Sequence, residues 1–333
     1  MKRIVIGICL VLVIVATANL FPGRAQNAGT PQQQPPGNGA PPPNPLQVAL
    51  LRWYRANETT SFKVGSQPYG VAFDGANIWT ANFGDGTVTK LRANDGEVLG
   101  TFNVGGAPYG VTFDGANVWV SDIGNAIVKL RASDGKALGT FSVGPNPGWM
   151  AFDGAHIWVT TATSQGNGSV SKLRASDGKI LGTFTVGYAP IAVAFDGANV
   201  WVVNGGSGAT GSVSKLRASD GKALGTFTVG NSPIGIAFDG TNMWVANRGD
   251  GTVSKLRASD GKVLGTFTVR TVPYGVAFDG TNIWVSGFTN AVELRATDGA
   301  TLAVVYTVGS AGIAFDGANI WVGKYDENVV GKL

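Results

Sequence analysis

Three features of this 333-residue sequence predict an all-β fold, a seven-bladed β-propeller of four-stranded antiparallel blades. Phe-Asp-Gly occurs seven times, and a tryptophan follows six residues after each phenylalanine. The steps between successive copies are 40, 39, 43, 43, 40 and 37 residues. Each copy contains short runs of strand-forming residues separated by Asp-Gly turns. A repeat of about 40 residues with this content is typical of one propeller blade.

The fifth copy shows how one repeat supplies four strands. Residues 235–238 and 243–246 flank the turn at 239–242, and residues 252–257 and 264–269 flank a second Asp-Gly turn. Asp-Gly provides the hydrogen-bonding side chain and the positive φ that tight hairpins need. We therefore predict a four-stranded meander for each copy, with its tryptophan buried between blades.

The two ends of the repeat region predict how the ring closes. The last copy stops after its third strand, at residues 329–333, and residues 60–65 match the fourth strand of the other copies. We predict that this N-terminal strand completes blade seven and removes the two open sheet edges. Leu51-Arg52 also matches the Leu-Arg of other copies, so a spare third-strand segment is expected near this seam.

The repeat resembles a known family. Its consensus, Val-Gly-x-x-Pro-Tyr-Gly-Val-x-Phe-Asp-Gly-x-Asn-x-Trp-Val-x-Asn, resembles the bacterial YVTN-type 40-residue β-propeller repeat, with Trp-Val in place of Tyr-Val, over nearly all of residues 62–333. More distantly, it is similar to the streptogramin (virginiamycin B) lyase-like and NHL-type propellers. The resemblance implies a propeller fold, and this superfamily includes binding proteins, lyases and lactonases, so it does not select a function.

The N-terminal region predicts export. Lys2 and Arg3 precede an apolar run, and small residues near Ala25 offer a cleavage position, so residues 1–25 are predicted to be a signal peptide. An uncleaved membrane anchor is the alternative, because residues 4–21 are long enough to cross a bilayer. The protein is therefore expected to be extracytoplasmic, in the periplasm, secreted or on the cell surface.

Residues 26–46 are rich in proline and glutamine and carry no charge, so they are predicted to be a disordered linker before a propeller at 47–333. Without the signal peptide the chain has 22 basic and 21 acidic residues, and no nucleic-acid partner is expected. A membrane partner is expected only if the N-terminal segment stays uncleaved. Cys9, the only cysteine, lies in the apolar run, so no disulfide is expected. We expect a monomer.

Comparison among the copies predicts which face binds a partner. The turns between strands one and two and between strands three and four are nearly uniform, and they lie on what we name the uniform face. The loops between strands two and three and between blades differ from copy to copy, and they lie on the variable face. Variable loops on a rigid scaffold are where binding sites are usually built.

The ligand-binding candidates follow the tryptophan strand, follow the inner-strand proline, or break the repeat. They are Asn82, Asp122, Trp149, Asn204, Asn247, Arg248, Tyr69, Tyr109, Tyr274, Lys324 and Tyr325. Amides beside aromatic rings suit a protein, peptide or glycan partner. A structural role is the alternative, since an asparagine after a strand often hydrogen-bonds its own loop. The longer loops at 160–169 and 204–212 are either a flexible rim or neutral insertions.

The sequence favours a non-enzymatic binding module. His156, the only histidine, lies in a turn of the uniform face, so no Ser-His-Asp or Cys-His arrangement is expected at the variable face. No catalytic residue and no cofactor is predicted. The alternative is a metal-assisted lyase or lactonase at the same channel mouth, with oxygen ligands such as Asp85 and Asp250 holding a divalent metal such as Ca or Mg. The repeated Lys-Leu-Arg is predicted to form a solvated, ion-paired rim.

Overall fold

The computed structural model describes residues 60–163, 166–206 and 210–333, which are built from β-strands joined by turns and loops. Within these ranges we find no helix long and apolar enough to cross a membrane. The predicted signal peptide, the predicted linker and Leu51-Arg52 lie outside the described residues. So do residues 164–165 and 207–209 of the two longer loops, whose role stays a prediction.

Each blade has four antiparallel strands, which follow one another from the channel outwards. Blades one to three contain β2 (Pro68–Phe73), β3 (Asn77–Asn82), β4 (Thr87–Arg92) and β5 (Val98–Asn103); β6 (Pro108–Phe113), β7 (Asn117–Asp122), β8 (Ala126–Arg131) and β9 (Ala137–Ser142); and β10 (Pro147–Phe152), β11 (His156–Thr161), β12 (Asn167–Arg174) and β13 (Ile180–Tyr188). Blades four and five contain β14 (Pro190–Phe195), β15 (Asn199–Asn204), β16 (Ser212–Arg217) and β17 (Ala223–Thr228); and β18 (Pro233–Phe238), β19 (Asn242–Asn247), β20 (Thr252–Arg257) and β21 (Val263–Thr268). Blades six and seven contain β22 (Pro273–Phe278), β23 (Asn282–Gly287), β24 (Asn290–Arg295) and β25 (Thr301–Tyr306); and β26 (Ser310–Phe315), β27 (Ile320–Lys324), β28 (Val329–Lys332) and β1 (Ser61–Lys63).

The ring closes through the N-terminal strand, as predicted. β1 pairs antiparallel with β28, with Ser61 opposite Gly331 and Lys63 opposite Val329. The inner strand β2 contacts both β6 of blade two and β26 of blade seven, so the inner strands form an unbroken ring. The predicted seven-bladed, four-stranded propeller is therefore confirmed.

The aspartate of each Phe-Asp-Gly joins the turn to the tryptophan. In blade five, Asp239 accepts hydrogen bonds from the backbone N–H groups of Thr241 (2.8 Å) and Asn242 (2.6 Å) and from the indole Nε1–H of Trp244 (2.7 Å). The same indole–carboxylate bond, at 2.7–2.8 Å, occurs in all seven blades, in the pairs Trp79–Asp74, Trp119–Asp114, Trp158–Asp153, Trp201–Asp196, Trp244–Asp239, Trp284–Asp279 and Trp321–Asp316. One carboxylate thus fixes both a turn and the orientation of a core ring.

The tryptophans form the contacts between blades. Trp244 lies in a buried cluster with Val276 and Ile283 of the following blade. Its ring lies 5.7 Å from that of Phe267 on the outer strand of its own blade. The predicted role of the tryptophans as interblade core is confirmed, and each buried ring removes roughly 150–250 Å² from water.

The repeated lysines are buried, so the prediction that they form a solvated rim was wrong. Lys215 lies directly opposite Trp201 on the neighbouring strand and is 6% exposed. Its Nζ donates hydrogen bonds to the carbonyl oxygens of Ala258 (2.6 Å) and Ser259 (3.1 Å) in the next blade, and lies 4.9 Å from the Trp201 ring centroid. The lysines with this arrangement are Lys90, Lys129, Lys172, Lys215, Lys255 and Lys332. Only the arginines form the expected exposed ion pairs, such as Arg131 with Asp134 at 3.0 Å.

Blade six departs from this pattern. Glu293 occupies the lysine position opposite Trp284, and its Oε1 accepts a hydrogen bond from Asn282 Nδ2 at 2.8 Å. The third strand of blade seven is β28, and its fourth is β1 from the other end of the repeat region. These two strands are not joined by a turn, so there is no turn whose carbonyls could accept a hydrogen bond from blade six. Trp284 is correspondingly only partly buried.

Replacing one of the interblade lysines tests its contribution to stability. Lys215→Met leaves the carbonyls of Ala258 and Ser259 without their donor, so we expect the free energy of unfolding to fall by about 1–3 kcal/mol in urea titrations. Lys222→Met, at an exposed lysine in a turn of the same blade, is the control and should change it by less than about 0.5 kcal/mol. Equal effects of the two variants would contradict the interblade role.

The turn carboxylates predict acid sensitivity. Burial alone raises the pKa of Asp239, but the hydrogen bonds from the Trp244 indole and from Asn242 outweigh it and hold the pKa below its usual value. The same direction holds for Asp74, Asp114, Asp153, Asp196 and Asp316. A lowered folded-state pKa stabilises the fold above the unfolded pKa of about 3.9, and this contribution is lost as the pH falls through the folded value.

We therefore expect the melting temperature to stay level between about pH 7 and pH 5 and to fall below about pH 4. Calorimetric scans across this range provide the measurement. Asp239→Asn removes one of these carboxylates and should show a shallower decline. A melting temperature that holds steady down to about pH 2 would show that the carboxylates do not stabilise the fold.

Candidate functional site

The central channel is lined by one aliphatic side chain from each inner strand. These are Val71, Val111, Met150, Val193, Ile236, Val276 and Ile313. Trp149 and Tyr274 also line this cavity. The space in it that no protein atom occupies, including its solvent-filled opening, is about 580 Å³. The inner-strand side chains of the channel are therefore mainly apolar, and charged side chains that could bind a ligand lie at its mouth.

Five predicted aromatic residues meet at the mouth on the variable face. Tyr69 lies at the centre, with ring centroids 4.5 Å from Tyr109, 5.7 Å from Tyr274 and 5.7 Å from Tyr325. Tyr109 extends the group to Trp149, at 5.6 Å. We name these five residues the aromatic cluster. They come from blades one, two, three, six and seven, so only ring closure brings them together.

Two tyrosines of the cluster, Tyr69 and Tyr109, are held as neutral phenols. The hydroxyls of Tyr69 and Tyr274 are hydrogen-bonded to each other. Burial and the neighbouring tyrosines raise the pKa of Tyr69 well above its usual value. Burial, with a further contribution from Tyr274, raises the pKa of Tyr109 to about 12. Near neutral pH the cluster therefore offers ring faces and neutral hydroxyls to a ligand.

A pocket opens beside the cluster and is lined by residues of blades one, five, six and seven. We name it the mouth pocket. The space in it that no protein atom occupies, including its solvent-filled opening, is about 620 Å³. Its lining residues are Tyr69, Arg248, Tyr274, Phe288, Gly309, Ser310, Ala311, Tyr325 and Asp326. Two features of the sequence make room for it. Ala311 stands in blade seven where blade one has Tyr69, and only Phe288 and Thr289 connect β23 to β24.

Arg248 contributes a positively charged group to the mouth pocket, which the carboxylate of Asp326 also lines. Its Cζ lies 5.2 Å from the ring centroid of Tyr274, and its side chain is exposed. Six other arginines of the described chain each pair with a carboxylate of their own blade: Arg92, Arg131, Arg174, Arg217, Arg257 and Arg295. Within residues 60–163, 166–206 and 210–333, Arg248 forms no ion pair. A guanidinium on an aromatic face is therefore available to an anion.

The three candidate asparagines lie inside the blades and not in the mouth pocket. Asn247 is fully buried; its Nδ2 donates hydrogen bonds to Thr252 Oγ1 (3.0 Å) and Ser254 Oγ (2.8 Å), and its Oδ1 accepts from Gly230 N–H (3.2 Å). Asn204 makes equivalent bonds, and Asn82 makes the two Nδ2 bonds. Asn204 and Asn247 thus hold the entering loop against the third strand, whereas the Asn82 amide bonds, among the described residues, to the third strand alone.

Asp122 and Lys324 occupy the same position in other blades. Asp122 Oδ1 accepts a hydrogen bond from Ala107 N–H at 2.8 Å. Lys324 Nζ lies 3.5 Å from a Glu327 carboxylate oxygen and donates a hydrogen bond to Ser61 Oγ at 3.3 Å. Of the predicted candidates, the structure thus brings together the aromatic residues and Arg248, while the others anchor loops.

The acidic residues considered as metal ligands also support loops. Asp85 Oδ2 accepts from Ser66 N–H at 2.7 Å, and Asp250 Oδ2 accepts from Asn231 N–H at 2.6 Å. Among the residues that the structure describes, no group of three or more His, Cys, Asp or Glu side chains is placed to hold a metal ion. His156 begins β11 directly after the turn on the uniform face, and its Nδ1 lies 3.1 Å from the Asp153 carboxylate of that turn.

Sequence reasoning did not identify Phe288 and Ser310 as mouth residues. Both belong to the segment between Phe278 and Phe315, which is the shortest step of the repeat series at 37 residues. A shorter step means shorter loops around blade six, and shorter loops leave a gap beside their neighbours. The spacing therefore held the signal for this pocket.

Comparison with known proteins supports the fold alone. No protein-family model matches the chain, and no curated protein matches it. A solved structure of the Kuenenia stuttgartiensis hydrazine synthase is similar over 80% of this chain and 95% of that chain, with a TM-score of 0.70 and 17% identity. In all, 1532 chains of solved structures are similar to this one. A fold this widespread does not select a function.

Two neighbouring residues test the division between loop anchors and mouth residues. Asn247→Ala removes a buried, fully bonded amide, so the free energy of unfolding should fall by about 1–3 kcal/mol. Arg248→Ala, at the next and exposed position, should change it by less than about 0.5 kcal/mol. Urea unfolding measures both. A destabilisation by Arg248→Ala as large as that by Asn247→Ala would show that Arg248 serves the scaffold.

Proposed function

We propose that this protein is an exported, non-enzymatic binding module that holds a protein, peptide or glycan at the mouth of its variable face. The observation that carries the proposal is the aromatic cluster, which joins five rings from five blades beside an open pocket. Aromatic side chains with hydroxyl groups are enriched at binding surfaces because they bury large areas and still offer a hydrogen bond.

The scaffold supports this role because the uniform face and the blade interiors use the repeated residues. The Asp–Trp and Lys–carbonyl contacts occur in blade after blade, whereas Trp149, Arg248 and Tyr325 break the repeat. Residues that vary on a rigid frame can serve a ligand without weakening the fold. Export follows from the N-terminal sequence and is part of the proposal.

The metal-assisted alternative has no observation in its favour among the described residues. Asp85, Asp122 and Asp250 each accept a backbone N–H from the entering loop, and Asp326, which lines the mouth pocket, belongs within the described part of the chain to no group of three or more His, Cys, Asp or Glu side chains placed to hold a metal ion. We therefore do not propose a lyase or lactonase activity.

Screening the purified protein tests the proposal. We expect a random-dodecapeptide display library or a printed glycan array to yield ligands that Tyr325→Ala weakens by about tenfold or more, because truncating a central aromatic residue removes most of its contact area. Titration calorimetry measures the affinity. Leu138→Ala, at an exposed apolar residue of the outer strand β9, is the control and should leave it unchanged.

Absence of any ligand from both screens would contradict the proposed function. So would ligands whose affinity is unaffected by Tyr325→Ala, since they would bind elsewhere on the propeller.

A further inference from the structure

The exposed apolar side chains that break the repeat are confined to blade six and its connections. Most exposed apolar residues repeat at one outer-strand position: Leu99, Leu138, Leu181, Leu224, Leu264 and Leu302, with Val98, Ile180 and Val263 just before them. The others are Val272, Phe288, Val304, Tyr306 and Val308. A cluster of exposed apolar side chains in one region is typical of an interaction site, whereas scattered ones are ordinary.

Three of these residues adjoin one another on the variable face. Phe288 N–H donates a hydrogen bond to the carbonyl of Val272 at 3.1 Å, and Gly309 N–H donates one to the carbonyl of Phe288 at 2.8 Å. These bonds join the loops that carry Val272, Phe288 and Val308, which we name the apolar rim. Phe288 is 56% exposed and also lines the mouth pocket, so rim and pocket form one surface.

Positive charge borders this surface. Arg248 lies in the mouth pocket, and Arg270 is exposed two residues before Val272. These two are the arginines that form no ion pair within the part of the chain that the structure describes. An unpaired guanidinium beside apolar surface favours a carboxylate, which it can bind through two parallel hydrogen bonds.

The mouth pocket also contains hydrogen-bonding groups for a peptide backbone. Asp326 lines its blade-seven side and can accept an N–H group. Ser310 is 3% exposed, and its Oγ has no hydrogen-bond partner among the described residues. Tyr325 and Tyr69 add ring faces at the inner end.

We infer that the mouth pocket and the apolar rim together bind a peptide segment in which a carboxylate lies within two or three residues of a large apolar side chain. The carboxylate, from a side chain or a chain terminus, pairs with Arg248, and the apolar side chain packs on Phe288 and Val308. Three adjoining apolar residues favour such a side chain over the hydroxyl groups of a sugar. This inference rests on the proposed function and specifies its ligand.

The test uses an array of synthetic dodecapeptides that pair Glu with Leu or Phe at spacings of one to three residues. Each peptide has a matched version with Gln in place of Glu, and uronate-containing oligosaccharides are a separate arm. Fluorescence anisotropy with the purified full chain gives the affinities. We expect some Glu peptides to bind about tenfold more tightly than their Gln versions, and the uronates to bind more weakly than these peptides.

Variants assign the preference to residues. Arg248→Gln should abolish the difference between Glu and Gln peptides, and Phe288→Ala should weaken both versions by about tenfold. Arg295→Gln and Leu302→Ala are controls on blade six, since Arg295 already pairs with Asp298 at 3.0 Å and Leu302 belongs to the repeated outer-strand set. Both should leave affinities within about twofold. Unchanged melting temperatures show that each variant is folded.

The possible failures are distinguishable. Peptides that bind, lose affinity in Tyr325→Ala and show no preference for Glu would overturn this inference and leave the proposed function intact. A Glu preference that survives Arg248→Gln, or tighter binding of the uronates than of the peptides, would also overturn it. Absence of any binding to peptides or oligosaccharides would overturn both proposals.

Discussion

The hydrogen bond from each indole to the turn aspartate is the contact on which the propeller depends. It fixes a tight turn on the uniform face and the tilt of a large ring between blades with one carboxylate, as in Asp239 with Trp244 at 2.7 Å. The correctly placed ring then forms a platform for the lysine opposite it, whose ammonium reaches carbonyls of the next blade. Turn, core and interblade contact are thus coupled in every blade that carries the full pattern.

This coupling uses up the repeated polar residues. The turn aspartates and the interblade lysines are committed to backbone and indole partners, and amides such as Asn247 are committed to hydroxyl and backbone partners inside the ring. A buried polar group without a partner would be costly, so these positions are poorly suited to exchange with a ligand. The residues that remain available are those outside the pattern, and around the mouth these are mainly aromatic rings and one unpaired guanidinium.

The regular pattern of the ring breaks at blades six and seven on both of its faces. Blade seven is assembled from both ends of the repeat region, so blade six faces a neighbour without a turn between its outer strands. Glu293 replaces the interblade lysine there, and the loops of blade six are short. The missing turn belongs to the uniform face. On the variable face, the short loops of blade six leave Phe288 and Val308 exposed, and a pocket forms beside Tyr69 and Tyr274.

The sequence by itself determined the seven blades, their strands, the closing strand Ser61–Lys63 and the aromatic residues of the mouth, because these follow from a repeat read residue against residue. Only the tertiary structure decided that Lys215 is buried and that Asn247 faces inward. The Lys-Leu-Arg motif and an asparagine at the end of a strand are equally compatible with an exposed and a buried position. The mouth pocket also required coordinates. Its residues lie on four blades, and no local pattern records the distance between a ring on one blade and a loop on another.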